Sequence, residues 1–359
     1  MSEKKLIAEI IAVGDEVLSG RIQDTNSSFL AESLQKLGFH VAHRQVVGDS
    51  ERDIYSALKI AASRSNVIVF SGGLGPTKDD LTKETVAKSF DKKLVFDESV
   101  YEEIEAFFKS RGITPRENNR KQAYVPEGSI VLHNANGTAP GIILRKGKQA
   151  VVLLPGPPSE LRPLFEDSAS GYLKEMTDVI QKEASLMVIG IPESELETRI
   201  KDLLYEKNPH CALYASEGTV EIHISASADS VDEAEQLLND KVEAFKKLLG
   251  DNIYSEKKEE ISEAVVQKLL KNKKTVAVAE SCTGGMVSQQ ITAIAGSSAC
   301  YEYGATTYAD WAKGTFLDID SSLLNKYTAV SSVVAVEMAR GIMKKGKAEI
   351  GRASCRERV

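Results

Sequence analysis

The sequence predicts an α/β protein with three parts: an N-terminal doubly wound parallel sheet, a small α+β module in the middle, and a C-terminal α/β domain. Two observations support this. Short apolar segments alternate with segments of helical period at the start of the chain, and an apolar segment that ends in glycines begins again after residue 274. We place the boundaries at 1–170, 171–250 and 251–348, which leaves 349–359 as a tail.

The N-terminal part shows the alternation of strand and helix that a parallel sheet requires. The strand NVIVFSGG is apolar up to its glycines, as is typical of a strand buried on both faces. Strands are predicted at 5–14, 40–49 and 66–73, helices at 27–39, 50–65 and 79–90, and 148–165 adds a strand, a proline-rich turn and a helix start.

The middle part changes period. Segment 184–204 predicts a strand, a turn and a helix, and 219–228 alternates like a strand with one buried face. Segment 230–250 is an amphipathic helix, so we expect an antiparallel sheet with helices. In the third part, an amphipathic helix at 261–274 precedes the strand TVAV, and a helix at 331–348 precedes the tail.

Composition and charge exclude several classes of function. The formal net charge is −7, and there is no basic stripe or row of stacking aromatic residues, which argues against a general binder of nucleic acids or membrane surfaces. The N-terminus starts like a signal peptide, but Glu9 interrupts it and no cleavage site follows. We therefore expect a cytoplasmic protein without a membrane span. The 4 cysteines are too scattered for a disulfide framework or a zinc site.

The richest motif of the N-terminal part is SGGLGPTKDDLT, at residues 71–82. Its glycines allow backbone N–H groups to approach an anion, and the start of the next helix adds a positive end. Its two aspartates supply oxygen ligands for a divalent ion. The alternative is a structural turn with a helix cap. The predicted phosphate or nucleotide site consists of Asp15, Glu16, Asn26, Gly72, Gly73, Gly75, Thr77, Asp79 and Asp80, with Asp80 as the expected metal ligand.

Small polar residues and glycines also follow the strand of the third part, in AESCTGG at 279–285. Ser281 lies where the strand ends, as an exposed nucleophile does. Backbone N–H groups around Thr283, Gly284 and Gly285 are placed to bind an oxyanion or a substrate phosphate, so amide hydrolysis is compatible with this segment. Two alternatives stay open: Ser281 as a helix N-cap, and Cys282 as a rival nucleophile or a packing residue.

The motifs GDEVLSGRIQDTNSSFLAESLQKLG, SGGLGPTKDDLT and PGPPSEL closely resemble the molybdopterin-binding-like domain of the CinA family, the competence/damage-inducible proteins. The resemblance extends through all three parts to about residue 348 and implies a KH-like middle module. In related molybdopterin-binding proteins the aspartate that matches Asp80 is functional. Some family members are described as ADP-ribose pyrophosphatases, so the resemblance implies ADP-ribose as a ligand and a divalent metal ion in this domain.

AESCTGG with IAGSSACYEYGATTYADWAK resembles the C-terminal CinA domain, a nicotinamide-nucleotide amidohydrolase. The resemblance implies that nicotinamide mononucleotide and water become nicotinate mononucleotide and ammonia, without a cofactor, in bacterial pyridine-nucleotide salvage. No histidine lies near Ser281 in sequence, so we expect a Ser–Lys pair with Lys313, which matches the family's lysine. Burial beside Trp311 and Tyr308 is expected to lower the pKa of Lys313. Tyr308 is expected to relay a proton or orient the amide, and Thr306 to line the pocket.

The tail EIGRASCRERV is expected to be foreign to the protein. It is basic, shows no helical or strand period, and can be written in codons that resemble a sequencing-adapter read. Family members continue instead with a strand and a second glycine-rich loop. The resemblance therefore implies an incomplete C-terminal domain and a chain that is inactive as a deamidase, and Cys355 and the arginines near it are expected to carry no function.

Other functions stay open from the sequence. A non-catalytic protein that binds a nucleotide or a protein partner during DNA uptake or damage response is suggested by the family name alone. A molybdenum-cofactor insertion protein fits the first domain but does not need the C-terminal motif. Without the family, Lys313 is a solvated helix lysine. A homodimer is the general expectation for such a chain, with small-molecule nucleotides as partners and no membrane or direct nucleic-acid binding.

Overall fold

The computed structural model describes residues 6–177 and 179–355. The chain divides into two compact units: one contains the first 183 residues with 205–211 and 224–243, and the other contains 184–204, 212–223 and the region from 244 onward. Across the described ranges, no helix combines the length and the apolar character that crossing a bilayer requires.

The N-terminal region alternates strands and helices, as its sequence predicts. Its elements are β1 (Ile7–Val13), α1 (Asp15–Leu18), α2 (Thr25–Lys36), β2 (His40–Val47), α3 (Glu51–Ala62), β3 (Val67–Ser71), α4 (Thr82–Ser89), β4 (Leu94–Phe96), α5 (Glu98–Lys109), a 3-10 helix (Glu117–Ala123), β5 (Tyr124–Pro126), β6 (Ile130–Leu132), β7 (Gly141–Lys146), β8 (Gln149–Leu154), α6 (Pro158–Leu164), a π-helical turn (Phe165–Ala169) and α7 (Ser170–Lys174).

A six-stranded sheet of order β2-β1-β3-β8-β7-β6 forms the centre of this region. Its first four strands are parallel, which confirms the predicted α/β sheet. Strand β7 pairs antiparallel with both β8 and the edge strand β6, so the sheet is mixed. The reason is local: Lys146 pairs with Gln149, and a connection this short makes a hairpin but cannot make a parallel crossover.

Alternate residues of the central strands fill two apolar layers. On one face, residues such as Ile10 of β1 pack with Leu30 of α2 and Leu161 of α6. On the other face, Ile11 packs with Ile54 of α3, and α4 contributes to the same layer. The strands are therefore covered on both faces, and their carboxyl ends are the open edge at which parallel α/β sheets bind ligands.

The middle region contains β9 (Ile180–Ile189), α8 (Glu193–Leu204), β10 (His210–Ser216), β11 (Thr219–Ala228), α9 (Val231–Leu249), a 3-10 helix (Gly250–Asn252) and β12 (Ile253–Ser255). The strands form a sheet of order β10-β11-β9-β12, in which β12 pairs antiparallel with β9. This confirms the antiparallel middle sheet that the alternating strand predicted.

The C-terminal region builds a three-stranded parallel sheet of order β14-β13-β15. Strand β13 lies at the centre of this sheet and contains the residues Val276, Ala277 and Val278 of the TVAV motif. The elements are α10 (Ile261–Lys271), β13 (Val276–Glu280), α11 (Met286–Thr292), a 3-10 helix (Ser297–Ala299), β14 (Tyr301–Thr306), α12 (Asp310–Leu317), α13 (Ser321–Tyr327), α14 (Ser332–Gly346) and β15 (Ile350–Ser354).

The tail differs from its prediction. We expected no regular structure after residue 348, but Ile350–Ser354 form β15, in continuous parallel register with β13. The backbone groups of a neighbouring strand offer hydrogen bonds to any side-chain sequence, and Ala353 and Cys355 are small enough to be buried there. Residues 356–359 lie outside the described residues. The foreign origin of the tail stays a prediction.

Candidate active site

A serine and a lysine meet at the carboxyl end of β13. The Nζ atom of Lys313 lies 3.3 Å from the Oγ atom of Ser281 and 2.8 Å from the carbonyl oxygen of Tyr308. The Lys313 side chain is 0% exposed, although the residue belongs to a short helix at the edge of the domain. Asp310 Oδ1 lies 3.8 Å from the same amine. A strand-end hydroxyl and a buried amine are therefore within reach of a proton transfer.

The aromatic residues near Lys313 do not cover it. Trp311 is 68% exposed and Tyr308 is 73% exposed, so the expectation that these two side chains bury the lysine is wrong. Residues two apart in a helix differ by about 200° in direction, and Trp311 therefore faces away from the sheet when Lys313 faces it. Trp311 contacts Phe316 instead, with ring centroids 6.2 Å apart. Tyr308 meets the lysine through its main-chain carbonyl group.

The nucleophile loop is organised by a carboxylate that the sequence analysis missed. Glu280, the last residue of β13, is 0% exposed. It accepts hydrogen bonds from Thr283 Oγ1 at 2.7 Å and from Ser288 Oγ at 2.5 Å. Burial alone raises the pKa of Glu280, but the hydrogen bonds from Ser288, Thr283 and the backbone outweigh it and hold the pKa below its usual value. An acidic residue that ends an otherwise apolar strand was the signal that could have revealed it.

The loop glycines serve the loop itself. Gly284 N donates to the carbonyl oxygen of Ser281 at 3.1 Å, and Gly285 N donates to Glu280 Oε2 at 3.0 Å. Both glycines have positive φ, at 61° and 107°, which allows the chain to fold back over the carboxylate. The amides of Gly284 and Gly285 are therefore committed within the loop, whereas we expected them to face an oxyanion or a phosphate.

Strand β14 places two threonines beside this loop. Thr306, its last residue, is paired with Glu280 in the sheet and is exposed. A Cβ atom on Gly285 would lie 3.5 Å from Thr306 Oγ1, so the hydroxyl lies beside the loop. Thr307 N donates to the Glu280 carbonyl oxygen at 2.8 Å, while the buried Thr307 Oγ1 has no hydrogen-bond partner among the described residues.

Helix α14 fixes the position of the helix that carries Lys313. Gly341 of α14 lies against the carboxyl end of α12, where a Cβ atom added to it would stand 2.3 Å from the carbonyl oxygen of Leu317. Real Cβ atoms do not approach so closely, so only glycine permits this distance. The short separation of α12 from α14 therefore depends on the absence of a side chain at Gly341.

The N-terminal region holds a second candidate site at the carboxyl ends of its parallel strands. A cavity of about 460 Å³ lies there. Gly72 and Gly73 have positive φ, and a Cβ atom on Gly72 would stand 2.3 Å from the Val13 carbonyl oxygen. Of the predicted residues, the cavity lining includes Glu16, Gly72, Gly73, Gly75, Thr77, Asp79 and Asp80; it also includes Asp49, Gln122, Thr138 and Glu160, which the sequence analysis did not select.

Two predicted residues support this cavity without lining it. Asp15 exchanges backbone and side-chain hydrogen bonds with Asp49, at 2.9 and 3.3 Å. Asn26 is buried, and its Nδ2 donates to Ser71 Oγ at 3.0 Å and to the Gly156 carbonyl oxygen at 2.7 Å. Asn26 therefore ties α2 to the end of β3 and to the proline-rich loop.

The cavity is strongly acidic. Burial raises the pKa of the Asp49 carboxyl, and the charges of Asp15, Glu16 and Asp80 raise it further. Burial also raises the pKa of Glu160, against the hydrogen bond that it accepts from Asn134. These carboxylates oppose a bare anion.

The residues do not match a resident metal. One Asp80 oxygen accepts from Thr77 N at 2.8 Å and from Thr77 Oγ1 at 2.5 Å. Within residues 6–177 and 179–355, no three histidine, cysteine or acidic side chains are grouped to hold a metal ion. The donor set therefore does not fit a divalent ion in this arrangement, and no chemical step is derived through one.

The fold and the two sites define an α/β protein with a serine–lysine pair in its C-terminal region. Three family models match it in order: the probable molybdopterin binding domain at 9–175, the KH domain of the damage-inducible protein CinA at 183–255, and the CinA C-terminal domain at 258–355. The chain belongs to the CinA family.

Two relatives of similar sequence agree with this assignment. A competence-damage inducible protein of Alkaliphilus oremlandii is 43% identical over 345 residues, covering 96% of this chain and 84% of the relative. A CinA-like protein of Dictyoglomus thermophilum is 43% identical over 344 residues with the same coverage. The crystal structure of the CinA protein of unknown function from Thermoplasma acidophilum is 34% identical and covers 48% of this chain and 99% of that chain, with a TM-score of 0.44.

Proposed function

We propose that the C-terminal domain hydrolyses the carboxamide of nicotinamide mononucleotide, giving nicotinate mononucleotide and ammonia. The observation that carries the proposal is the buried Lys313 amine, 3.3 Å from the Ser281 hydroxyl at the end of a parallel strand. A serine hydroxyl becomes nucleophilic when an adjacent base takes its proton, and a neutral lysine amine is such a base. Membership of the CinA family and the match to its C-terminal domain support the choice of substrate.

The first half of the reaction forms an ester. Ser281 Oγ attacks the carboxamide carbon while Lys313 Nζ takes the hydroxyl proton, and the carbonyl oxygen becomes an oxyanion. The C–N bond then breaks, and the proton held by Lys313 passes to the departing nitrogen, so that ammonia leaves. The Tyr308 carbonyl oxygen lies 2.8 Å from the amine. This contact is proposed to hold the Lys313 amine within reach of both Ser281 Oγ and the departing nitrogen.

The second half returns the enzyme to its starting state. A water molecule attacks the ester carbon while Lys313 removes one of its protons, and the same proton returns to Ser281 Oγ as the acid product forms. Tyr308, whose carbonyl oxygen contacts the lysine, is proposed to relay a proton or orient the amide through its exposed side chain, and Thr306 to line the pocket. The Gly284 and Gly285 amides are not proposed as oxyanion donors, because both donate within their own loop.

The test is ammonia release from nicotinamide mononucleotide by a version of the chain continued with the C-terminal segment of the Dictyoglomus thermophilum relative. Ser281→Ala is expected to abolish release with the fold intact by circular dichroism. Cys282→Ala, which changes the rival nucleophile, is expected to retain it. Full activity in Ser281→Ala would contradict the serine mechanism. No ammonia release by the extended chain with Ser281 in place would instead favour a non-catalytic role in binding a nucleotide or a protein partner.

The 359-residue chain itself is proposed to be inactive in this assay. The C-terminal family model matches this chain as far as residue 355, and the resemblance implies that other members continue with a second glycine-rich loop, which is proposed to form one wall of the pocket. Ammonia release by the unextended chain at the rate of the extended version would contradict this second proposal and leave the first one standing.

A second candidate function belongs to the N-terminal domain, which we propose binds ADP-ribose in the cavity of about 460 Å³. The left-handed glycines and the close approach of the backbone support a diphosphate ligand. The acidic lining requires that the diphosphate arrive with cations, so binding measured by calorimetry is expected to need Mg²⁺ in solution. Equal binding of ADP-ribose without divalent ions would contradict the proposal that the acidic lining requires cations for diphosphate binding.

A further inference from the structure

We propose that Glu280 is a positioning residue: its carboxylate is the internal anion around which the nucleophile loop folds, and this fixes Ser281 opposite Lys313. Its catalytic consequence rests on the proposed function, whereas its structural part can be tested without substrate.

The carboxylate collects donors from the whole loop and from the first turn of α11. Every one of these donors comes from residues three to eight positions later in the chain, so the loop is wrapped around the carboxylate. The hydrogen bonds come from Thr283 Oγ1 (2.7 Å), Gly285 N (3.0 Å), Val287 N (3.1 Å), Ser288 N (2.9 Å) and Ser288 Oγ (2.5 Å).

Within the described residues, Glu280 forms no ion pair with a lysine, arginine or histidine, and its side chain is fully buried. A buried carboxylate is costly unless hydrogen bonds replace its water shell, and charge-assisted bonds are stronger than neutral ones. The five donors therefore act together, and loss of the charge removes the reason for the loop to stay folded around this point.

The anion fixes the nucleophile because Ser281 is the next residue. Ser281 N donates to the Ser354 carbonyl oxygen at 2.8 Å, and its own carbonyl oxygen accepts from Gly284 N at 3.1 Å. With the backbone held on both sides, little freedom remains besides the side-chain rotation that brings Oγ to 3.3 Å from Lys313 Nζ. A second consequence concerns the substrate. The backbone and hydroxyl donors of this loop already bind the Glu280 carboxylate, so they do not bind the phosphate group of a nucleotide.

The experiment uses the extended version of the chain and four variants of it. Glu280→Gln keeps the shape but removes the charge and presents an amide group to donors, and Glu280→Asp keeps the charge on a shorter side chain. Ser288→Ala removes one side-chain donor. The control for general destabilisation is Glu9→Gln. Glu9 is also fully buried and hydrogen-bonded, although it pairs with Arg64, and it lies in the N-terminal sheet.

Two readouts are independent of nucleotide turnover. Amide hydrogen exchange reports the protection of residues 283–288, and a fluorophosphonate probe reports the rate at which Ser281 is phosphonylated. Glu280→Gln is expected to raise exchange in this segment and to slow labelling, each by at least about tenfold. Glu280→Asp is expected to recover part of the labelling rate, Ser288→Ala to lie between the two, and Glu9→Gln to leave both at the wild-type value.

Wild-type exchange and labelling in Glu280→Gln would overturn the inference. Equal losses in Glu280→Gln and Glu9→Gln would overturn it as well, since they would show general destabilisation. Failure of the proposed function looks different: residues 283–288 would be protected and dependent on Glu280, while the extended version would release no ammonia.

Discussion

The amine of Lys83 donates a 2.7 Å hydrogen bond to the carbonyl oxygen of Lys121, and the amine of Lys121 donates in turn to the carbonyl oxygens of Thr77 and Asp80. Lys83 is 4% exposed. The two lysines therefore fasten the 3-10 helix that contains Lys121 to the loop that carries Asp80, at the mouth of the acidic cavity.

Burial of Lys83 predicts a pH dependence of stability. Desolvation lowers its pKa from 10.5 to about 8, against the attraction of Glu84 and Asp80. The unfolded chain holds the proton up to about pH 10.5, so the free energy of unfolding rises between pH 8 and 10.5, by at most roughly 3 kcal/mol. Urea titrations are expected to show this rise in the wild type relative to Lys83→Met. A difference between the two proteins that stays constant from pH 7 to 10 would contradict the prediction.

Lys313 is predicted to act as the acceptor of the Ser281 proton. Lys313→Arg keeps a positive charge and length but cannot serve as a base, so in the extended version it is expected to lower kcat by about 10²–10⁴-fold, as Lys313→Met does. Lys326→Met, which changes an exposed lysine of the neighbouring helix, is the control. Retention of activity in Lys313→Arg would assign the lysine an electrostatic role instead.

The glycine loop of the N-terminal cavity gives a stability prediction. Gly72→Ala places a methyl group 2.3 Å from the Val13 carbonyl oxygen at φ 103°, whereas Gly147→Ala has φ 61° and no neighbour within 4 Å. Gly147→Ala is expected to cost only the backbone strain of about 1–2 kcal/mol. Gly72→Ala is expected to cost clearly more, and equal melting temperatures for the two variants would show that the loop moves freely away from β1.

Asn26 is predicted to stabilise the cavity through the two hydrogen bonds that its side-chain amide donates. Asn26→Ala leaves Ser71 Oγ and the Gly156 carbonyl oxygen without their amide donor, so the free energy of unfolding is expected to fall by about 1–3 kcal/mol. Thermal denaturation measures it, and Ser28→Ala on the same helix is the control. Unchanged stability together with unchanged ligand binding would remove Asn26 from the site.

Much of the architecture follows from local sequence. The helices of the first domain were predicted because residues such as Leu30 and Ile54 recur at helical spacing, and their faces are the ones buried. Ser281 was found because an apolar strand ends one residue earlier. The antiparallel pairing of β7 with β8 was missed, because the short connection between Lys146 and Gln149 was not considered in the sequence analysis.

Burial of single polar groups could not be predicted in the same way. Glu280 has a charge that normally faces water, and only the folded chain shows the donors that allow it inside. Burial of Lys313 was expected with the family resemblance, but not the contact with the Tyr308 carbonyl group. Trp311 and Tyr308 were expected to bury the Lys313 side chain, yet both are exposed, and the direction of a short helix decides which of its residues face the sheet. The same limit applies to β15, where backbone pairing does not depend on side-chain pattern.

Gly341 belongs to neither the AESCTGG loop nor the YADWAK helix. The position of the helix that carries Lys313 nevertheless depends on the close approach that Gly341 allows. A single added methyl group would push the end of α12 away from α14 and carry Lys313 with it. Inactivating substitutions in this family are therefore expected on a helix that an inspection of the catalytic motifs would pass over, and a redesign of the pocket has to leave that position untouched.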